Sequence, residues 1–403
     1  MHGHLSRMSE LRHVAPPTAR LTSLPTYVFA RLDELKSAAR LSGAELIDLG
    51  IGNPDQPTPR PITDAIAVAL ADPLTHGYPP FRGTPAFLKA AARYMQRRFG
   101  VTVDAEREVL AVSGGKEGIA HLTMAFTDER SVSLVPNIYY PVHARATMLA
   151  GGRVHFLPLT AAGGFLPDLA AVPAHALDGA RMLLLNYPHN PTGAVATLEF
   201  FEEAVAFAAR RGLVLLSDLA YAELGFDGFV PPSVLEVGGS RDVAIEFHSC
   251  SKTFNMAGAR IGFAAGNADL IAALYDVRTN MGYGSPSAAQ AGAEYAFDHV
   301  EEYAPAARAR YQARRDVTVA GFRSLGWEVP APRATMFVWL PVPAGFTSEQ
   351  WTEALIARAG VVVTPGSAFG PGGEGFFRVS LVADEARLSD AVERLRAAGV
   401  SYR

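Results

Sequence analysis

Short apolar runs recur along about the first 250 residues and alternate with stretches in which apolar residues follow a helical spacing. Six runs have the length of a strand and lie at 109–112, 132–135, 154–157, 182–185, 213–216 and 243–247. Several of them are apolar at every position, as is typical of parallel strands that are buried on both faces. Helical patterns lie between several runs, for example at 116–126 and 199–211. This alternation predicts an α/β fold in which helices cover both faces of a mostly parallel sheet.

One of the predicted helices has both of its ends marked in the sequence. Thr84 has the side chain of an N-cap, and Pro85 suits the first helical position. Gly100 is expected to end the helix. Between these ends, four residues form an apolar stripe: Phe87, Ala91, Tyr94 and Met95.

The pattern changes after about residue 296. A long charged helix is expected over roughly 300–325, and it is followed by the apolar run "MFVWLPVP", a helix at 348–359, the runs "VVVTPGSAFG" and "FFRVSL", and a last helix. This order predicts a smaller α+β domain. We therefore expect an N-terminal arm that packs with the small domain (1–57), a large domain (58–295) and a small C-terminal domain (296–403).

Composition and charge narrow the classes of function. A chain of 403 residues is too long for one ordinary core, and its net charge of -4 gives no reason to expect nucleic acid or an anionic membrane as a partner. No apolar run reaches the length of a membrane span. The single cysteine, Cys250, cannot form an intrachain disulfide, which is compatible with the reducing cytoplasm. We expect His2, His4 and His13 to lie in a polar tail rather than in a metal site, and Tyr27 to pack in the core, with an approach to the substrate of a partner subunit as the alternative.

Polar segments follow five of the strand runs, in the place where open α/β sheets bind their ligands. They read "SGGKEG", "PNIYYP", "NYPHNPTG", "SDLAY" and "HSCSK" in chain order. We expect these loops to converge at one edge of the sheet. The small residues of "SGGKEG" enter a predicted helix, and such a turn suits the binding of an anion.

The residues leave four interpretations open, of which three concern Lys252 in "HSCSKTFNMAGARIG" and one concerns the separate stretch "LGIGNP". Ser249 and Lys252 match the S-x-x-K pattern of serine acyl-enzymes, but the companion motifs S-D-N and K-T-G read "SDL" and "KTF" here. The glycines of "LGIGNP" resemble the start of a dinucleotide fingerprint, but the third glycine and the following helix are missing. A solvated lysine at the end of a strand is a third alternative.

A fourth interpretation is that Lys252 forms a Schiff base with a cofactor aldehyde. Pyridoxal phosphate requires such a lysine, a carboxylate near its ring nitrogen, and amides and a cation for its phosphate. Asp218 can supply the carboxylate and Arg260 the cation, while Asn190 and Tyr221 can donate to the phenolic oxygen. Further phosphate donors and a stacking ring are available in Ser249, Ser251 and Tyr140.

Eight stretches together resemble the class I/II pyridoxal-phosphate-dependent aminotransferases of fold type I, in the order of that family and from about residue 20 to the end. They are "LGIGNPDQPTP", "HGYPPFRGTPAFLKA", "SGGKEGIAHL", "NYPHNPTGAV", "SDLAYAELGFDG", "SCSKTFNMAGARIGF", "TPGSAFG" and "FFRVSL". The resemblance implies a large domain with a mostly parallel seven-stranded sheet between helices, and a smaller α+β domain.

The resemblance also implies a role for each matching position. Lys252 would bind the cofactor covalently and then transfer protons, and Asp218 would pair with the ring nitrogen. Asn190 and Tyr221 would contact the phenolic oxygen, and Tyr140 would stack on the ring. The phosphate would be held by Gly115, Lys116, Ser249, Ser251 and Arg260.

Three further positions would serve the substrate or the partner subunit. Arg378 would bind the α-carboxylate of the substrate, and Gly52 would line the same pocket together with Asn190. Tyr78 would reach the phosphate in a neighbouring subunit, which makes the enzyme a homodimer.

The implied reaction is ping-pong transamination between an L-amino acid and a 2-oxo acid such as 2-oxoglutarate or pyruvate. The motifs are most similar to the branch that contains LL-diaminopimelate and alanine (glutamate–pyruvate) aminotransferases, so alanine, glutamate and LL-diaminopimelate are the candidate donors. A lyase that catalyses β-elimination is the alternative, because such relatives share the cofactor residues. A DNA-binding regulator would need a module for which the N-terminal stretch is too short.

Several residues either differ from those that are usual in this branch or receive no role from the motifs. His143 stands where this branch usually has a tyrosine or a similar residue, and Gly115 stands where it usually has a serine. Arg278, Asn280 and Tyr283 are candidates to contact the distal group of the substrate, although no motif requires this. Cys250 has no assigned chemical function.

Overall fold

The structure, a computed structural model, describes residues 15–25, 28–41 and 43–402. His2, His4, His13 and Tyr27 lie outside the described residues, so the expectations for them stay predictions.

Helices and strands alternate through the first two thirds of the chain. The N-terminal elements are α1 (Ala19–Thr22), α2 (Val28–Leu41) and β1 (Ile47–Asp48). Seven strands and their connecting helices follow: α3 (Arg60–Ala71), α4 (Pro85–Phe99), β2 (Val109–Val112), α5 (Gly115–Phe126), β3 (Val132–Pro136), α6 (Val142–Ala150), β4 (Arg153–Leu157), β5 (Ala180–Asn186), α7 (Leu198–Arg211), β6 (Val214–Asp218), α8 (Ser240–Val243), β7 (Ala244–Ser249), α9 (Cys250–Thr253), β8 (Gly262–Gly266), α10 (Ala268–Met281) and α11 (Ser287–Asp298). The C-terminal elements are α12 (Val300–Ser324), β9 (Phe337–Pro341), α13 (Ser348–Ala359), β10 (Val361–Val362), β11 (Thr364–Pro365), β12 (Phe376–Ser380) and α14 (Glu385–Ala397).

The seven strands form one sheet in the order β2-β8-β7-β6-β5-β3-β4. The strands from β7 to β4 are parallel, whereas β8 is antiparallel to both of its neighbours. The predicted mostly parallel sheet is therefore confirmed. The apolar runs did not indicate β8, because its sequence "GFAAG" has no β-branched residue and only one large side chain.

Apolar side chains cover both faces of this sheet, as the continuous apolar runs predicted. In β5, Leu183 and Leu185 pack in a cluster with α4, α7 and α11, while Met182 and Leu184 pack on the other face with α5, α6 and α10. Successive side chains of a strand point to opposite faces, so a strand buried on both faces is apolar throughout.

The boundaries predicted for α4 are confirmed. The Thr84 hydroxyl accepts a hydrogen bond from the Phe87 amide at 3.4 Å, and Pro85 occupies the first turn. Gly100 has a φ of 68°, a conformation that favours glycine. The predicted stripe is buried, and burial of a side chain such as Phe87 stabilises the fold by about 1.5–3 kcal/mol.

The C-terminal part has its own sheet and its own apolar cluster. The strands β11, β12 and β9 form an antiparallel sheet, and the cluster contains Trp327, Leu355 and Phe377. The N-terminal strand β1 pairs with β10, and Ile47 joins the same cluster. The domain bounds at 57/58 and 295/296 stay predictions.

The described part of the chain contains neither a helix that could span a membrane nor a cluster of metal-binding side chains. None of its helices combines the length and the apolar character that crossing a membrane requires. Nor do three or more of its His, Cys, Asp and Glu side chains meet in a group that could hold a metal ion.

Candidate active site

Lys252 lies in the short helix α9, directly after β7 at one edge of the large sheet. Its Nζ donates a hydrogen bond to the Gly52 carbonyl at 2.7 Å. Burial, together with the positive charges of Arg378 and Arg260, lowers the pKa of Lys252 to about 8, although Asp218 opposes this shift. A lysine with this pKa has a larger neutral fraction near pH 7, and only the neutral amine acts as a nucleophile or a base.

Asp218 is the last residue of β6, and His143 holds its carboxylate. His143 Nε2 lies 3.1 Å from Asp218 Oδ2, and both side chains are buried. His143 belongs to α6, which follows β3, and it is 75 positions from Asp218 in the chain. No local pattern could have indicated this pair, because the fold alone brings the two elements together.

Asn186 connects two of the loops at the sheet edge and was not predicted. Its Nδ2 donates to the Asp218 carbonyl at 2.7 Å, and its Oδ1 accepts from the Asn190 amide at 3.0 Å. The loop that begins at Asn186 contains two cis peptide bonds, which precede Pro188 and Pro191. Asn186 therefore fixes Asn190 relative to the end of β6.

Arg378, on β12, is a buried cation with neutral partners. Its Nη1 donates to Asn190 Oδ1 at 2.9 Å, and its Nη2 donates to the Gly50 carbonyl at 2.6 Å. Within the described residues, no atom accepts a hydrogen bond from its Nε. The guanidinium lies 4.2 Å from the ring centroid of Phe337 and 4.7 Å from that of Phe369. Burial lowers its pKa to about 10. This environment suits an incoming carboxylate, which would supply the missing negative charge.

Tyr221 and Gly52 both adjoin the ring of Phe337, on which the Arg378 guanidinium packs. Tyr221 is buried, and burial raises the pKa of its hydroxyl well above the usual range, so the hydroxyl keeps its proton. The Tyr221 ring packs edge-on against Phe337 at 5.7 Å between centroids. A Cβ atom on Gly52 would lie 2.7 Å from the Phe337 ring, so only glycine fits there.

The turn "SGGK" and Arg260 lie together and carry groups that bind an anion well, and we call this region the anion site. Gly114 has a φ of 86°, and a Cβ atom there would overlap the Arg260 guanidinium. Arg260 Nη2 donates to the Ser113 carbonyl at 3.0 Å. Helix α5 begins at Gly115, and the first amides of a helix have no partner within it. The Cβ position of Gly115 is open, so the requirement for glycine falls on Gly114.

The other predicted cofactor residues lie close to this site. Ser249 is the N-cap of α9, and its hydroxyl accepts a hydrogen bond from the amide of Ser251 at 3.2 Å. Lys116 Nζ lies 5.8 Å from the centroid of the Tyr140 ring, and that ring contacts His143 edge-on at 5.9 Å. Tyr140 thus lies next to the group that holds Asp218.

Tyr78, Tyr283, Arg278 and Asn280 belong to two segments outside the five loops at the sheet edge. The Tyr78 side chain is exposed and stacks on Tyr283. Arg278 is buried, and Asn280 is exposed and donates to the Asp276 carbonyl at 2.8 Å. The contacts that Arg278 and Asn280 were considered to make with the distal group of the substrate stay predictions.

Cys250 precedes the lysine helix and packs in the core. It is fully buried in the cluster that also contains Phe254 and Phe263, and burial raises the pKa of its thiol. A buried thiol in apolar surroundings is inert. We therefore assign Cys250 to core packing and to no chemical step.

Together these groups fit pyridoxal phosphate. Lys252 offers an amine with a lowered pKa, and Asp218 offers a carboxylate that is fixed in place. The N-terminus of α5 and Arg260 offer the amides and the cation that a phosphate requires, and Gly114 leaves room for the Arg260 guanidinium beside them.

Comparison with characterised families agrees with this geometry. The family described as "Aminotransferase class I and II" matches residues 44–395. The LL-diaminopimelate aminotransferase of Desulforudis audaxviator (strain MP104C) is 47% identical over 377 residues, which cover 94% of this chain and 96% of that protein. The LL-diaminopimelate aminotransferase of Moorella thermoacetica is 45% identical over 377 residues, which cover 94% and 97%.

Solved structures show the same fold. Substrate-bound BacF from Bacillus subtilis superposes with a TM-score of 0.93 at 35% identity, over 97% of this chain and 99% of that one. A probable N-succinyldiaminopimelate aminotransferase from Thermus thermophilus gives 0.87 at 38% identity, over 92% and 100%. The chain therefore belongs to the class I and II aminotransferases, enzymes of fold type I that transfer amino groups with pyridoxal 5′-phosphate as the cofactor.

Proposed function

We propose that this aminotransferase takes its amino group from LL-diaminopimelate and passes it to a 2-oxo acid, with 2-oxoglutarate or pyruvate as the acceptor. The observation that carries this choice is the 42–47% identity, over 93–95% of the chain, to relatives that are LL-diaminopimelate aminotransferases. Alanine and glutamate are the competing donors.

Arg378 is the residue that we assign to the substrate carboxylate. Its Nε has no acceptor in the described part of the chain, and its other partners are neutral. A carboxylate that binds there gains charge-assisted hydrogen bonds in a site sheltered from water. Asn190 Oδ1 accepts a hydrogen bond from the guanidinium, and the missing side chain of Gly52 leaves room for the Phe337 ring on which the guanidinium packs.

Lys252 is the residue that we assign to proton transfer. Pyridoxal phosphate, when bound, supplies an aldehyde for the amino group and a ring that withdraws electrons from the substrate Cα. Lys252 Nζ would hold the cofactor before the substrate arrives, and the freed neutral amine would then take the Cα proton. The lowered pKa of Lys252 supports this assignment, because a base must be unprotonated before it acts.

Asp218 and the phosphate residues would hold the cofactor. Asp218 would face the ring nitrogen, with His143 fixing its carboxylate, while Asn190 and Tyr221 would face the phenolic oxygen. Tyr140 would stack on the ring. The phosphate would lie at the anion site and contact Arg260, Ser249, Ser251 and the amides of Gly115 and Lys116.

We also propose a homodimer in which Tyr78 reaches the cofactor phosphate of the partner subunit. Six large apolar or aromatic side chains in two adjacent segments are more than half exposed: Val68, Leu70, Leu74, Tyr78, Met281 and Tyr283. Exposed apolar groups in such number are typical of surfaces that bind another protein. The one cysteine is buried and unpaired, which suits a location in the cytoplasm.

A screen of single half-reactions tests the choice of donor. The enzyme with bound cofactor is mixed with one amino acid at a time, without any 2-oxo acid, and the absorption band of the covalently bound cofactor is followed. We expect LL-diaminopimelate to remove the band at a lower concentration than alanine, glutamate or an aromatic amino acid. Lys252→Ala is the control: it cannot bind the cofactor covalently, so it should lack this band and should not complete multiple turnovers.

Two results would contradict the proposal. A fast reaction with alanine or glutamate and none with LL-diaminopimelate would assign a different donor. Continuous release of ammonia and a 2-oxo acid without any acceptor would assign the enzyme to the β-eliminating lyases.

A further inference from the structure

We propose that Tyr283 positions Tyr78 for the cofactor phosphate of the partner subunit, and that residues 282–286 thereby connect the two phosphate sites of the dimer. This inference rests on the proposed dimer and on the proposed role of Tyr78. Tyr283 is a positioning residue here, because it acts through Tyr78.

Tyr283 lies between two aromatic rings. Its ring centroid is 4.0 Å from that of Tyr78 with an interplanar angle of 10°, and 5.5 Å from that of Phe81 with an angle of 16°. Parallel rings at these distances are stacked. Tyr78 is 79% exposed and Tyr283 is 54% exposed, so the stack lies on the surface of the protomer and not in its core.

The stack limits the directions in which Tyr78 can point. An exposed tyrosine on a loop samples several rotamers, and binding must then order it at an entropic cost. A ring packed against one face of Tyr78 removes part of this freedom before the cofactor binds. The contact uses the face of the Tyr283 ring, so the hydroxyl of Tyr283 is not required.

Residues 282–286 are fixed against the turn that carries Tyr78. A Cβ atom on Gly284 would lie 2.7 Å from the Pro80 carbonyl, so the two backbones are in close contact. Gln290 joins the same two segments, because its Nε2 donates to the Ser285 carbonyl at 2.7 Å and its Oε1 accepts from the Thr84 amide at 2.6 Å.

The same segment also contacts the anion site of its own subunit. Ser285 is buried, and its hydroxyl oxygen lies 3.3 Å from that of Ser113. The Ser113 carbonyl accepts from Arg260, and the Ser113 amide donates to Glu117 Oε2 at 3.0 Å. A continuous set of contacts thus leads from one phosphate site, through Ser285 and Tyr283, to the residue that serves the other.

The first test measures the dissociation constant of pyridoxal phosphate by absorbance titration of the apoenzyme. We expect Tyr283→Ala to weaken binding roughly 3- to 10-fold, as the loss of one aromatic pair would. Tyr283→Phe keeps the ring and should bind as the wild type does. Equal weakening in both variants, or none in Tyr283→Ala, would overturn the inference.

The second test uses hybrid dimers in which one subunit carries Lys252→Ala, so that a single site can bind the cofactor covalently. Tyr283→Ala is placed either on the Lys252→Ala subunit or on the intact one. We expect weaker binding only in the first arrangement, because that subunit supplies Tyr78 to the remaining site. Weakening in both arrangements, or only in the second, would contradict positioning across the interface.

Tyr78→Ala in the same hybrids separates the two proposals. If it has no effect in either arrangement, the proposed role of Tyr78 fails. If it weakens binding across the interface while Tyr283→Ala does not, only the present inference fails. Should Tyr283→Ala lower the thermal midpoint, Tyr283→Leu, which keeps apolar bulk but no ring, takes its place with the same expected weakening.

Discussion

Two buried charges act on Lys252, and they differ in how fully they are paired. Asp218 has His143 at 3.1 Å from its carboxylate, and its carbonyl accepts a hydrogen bond from Asn186. Arg378 has only neutral acceptors, and its Nε has none in the described part of the chain. A buried charge without a counter-charge is costly, so its retention requires a reason. We infer that Asp218 serves a cofactor that stays bound, while Arg378 serves a carboxylate that enters and leaves.

Asp218→Asn should have the largest effect, because it removes the negative charge that we assign to the ring nitrogen of the cofactor. We expect kcat to fall by about 10³-fold, equivalent to ~4 kcal/mol, since the buried ring nitrogen of the cofactor then loses its charged partner. Steady-state kinetics with the best donor would measure this loss. A fall in kcat/KM through KM alone would mean that Asp218 acts in substrate binding, and its role would then not differ from that of Arg378.

His143→Ala should have an intermediate effect, because Asp218 keeps its charge but loses one hydrogen bond. A hydrogen bond to a charged group contributes about 1.5–3 kcal/mol, so we expect kcat to fall about 10- to 100-fold. His143→Gln can still donate to Asp218 and should recover part of the loss. An unchanged kcat in His143→Ala would show that the carboxylate does not depend on His143.

Arg378→Met should change the titration of Lys252. The charge of Arg378 lowers the pKa of Lys252, so removal of that charge should raise this pKa above about 8. Burial, the larger cause, remains, so the pKa should stay below the usual 10.5. The rate at which an aldehyde reagent modifies the apoenzyme lysine, measured against pH, reports this midpoint. An unchanged midpoint would mean that the charge of Arg378 does not influence the pKa of Lys252.

Substitutions at the two glycines of the anion site should have the smallest effects, and Gly115→Ser serves as the matched control for Gly114→Ala. The Cβ position of Gly115 is open, so Gly115→Ser should leave cofactor affinity and thermal midpoint unchanged. Gly114→Ala places a side chain at a φ of 86° and against Arg260, so it should weaken cofactor binding and cost about 1 kcal/mol or more in stability. Binding titrations of both variants would measure the difference. Equal cofactor affinities in the two variants would contradict the inference that the anion site requires glycine at position 114.

Local patterns in the sequence predicted much of the sheet edge. The ends of α4 could be predicted because Thr84 and Gly100 act within a few residues. The loops at the sheet edge could be predicted because parallel strands place their carboxyl ends together. The first inference depends on contacts between residues that are close in the sequence. The second depends on a rule that holds for every parallel strand of the sheet.

The remaining features depend on contacts that no local pattern encodes. His143 and Asp218 are separated by 75 positions, and Tyr78 and Tyr283 come from segments about 200 residues apart. The burial of Arg278 is likewise set by the fold, and its neighbours in the sequence did not indicate it. Strand β8 was not indicated by the apolar runs, because small residues carry little strand signal.

The difference between the two buried charges is tested most directly by the binding of pimelate, the diacid that lacks both amino groups of diaminopimelate. Calorimetry on the enzyme with bound cofactor compares wild type, Asp218→Asn and Arg378→Met. We predict that Arg378→Met weakens pimelate binding by at least about 30-fold, because a buried charge pair is lost, while Asp218→Asn binds as the wild type does. Wild-type affinity in Arg378→Met, or an equal loss in Asp218→Asn, would contradict the account.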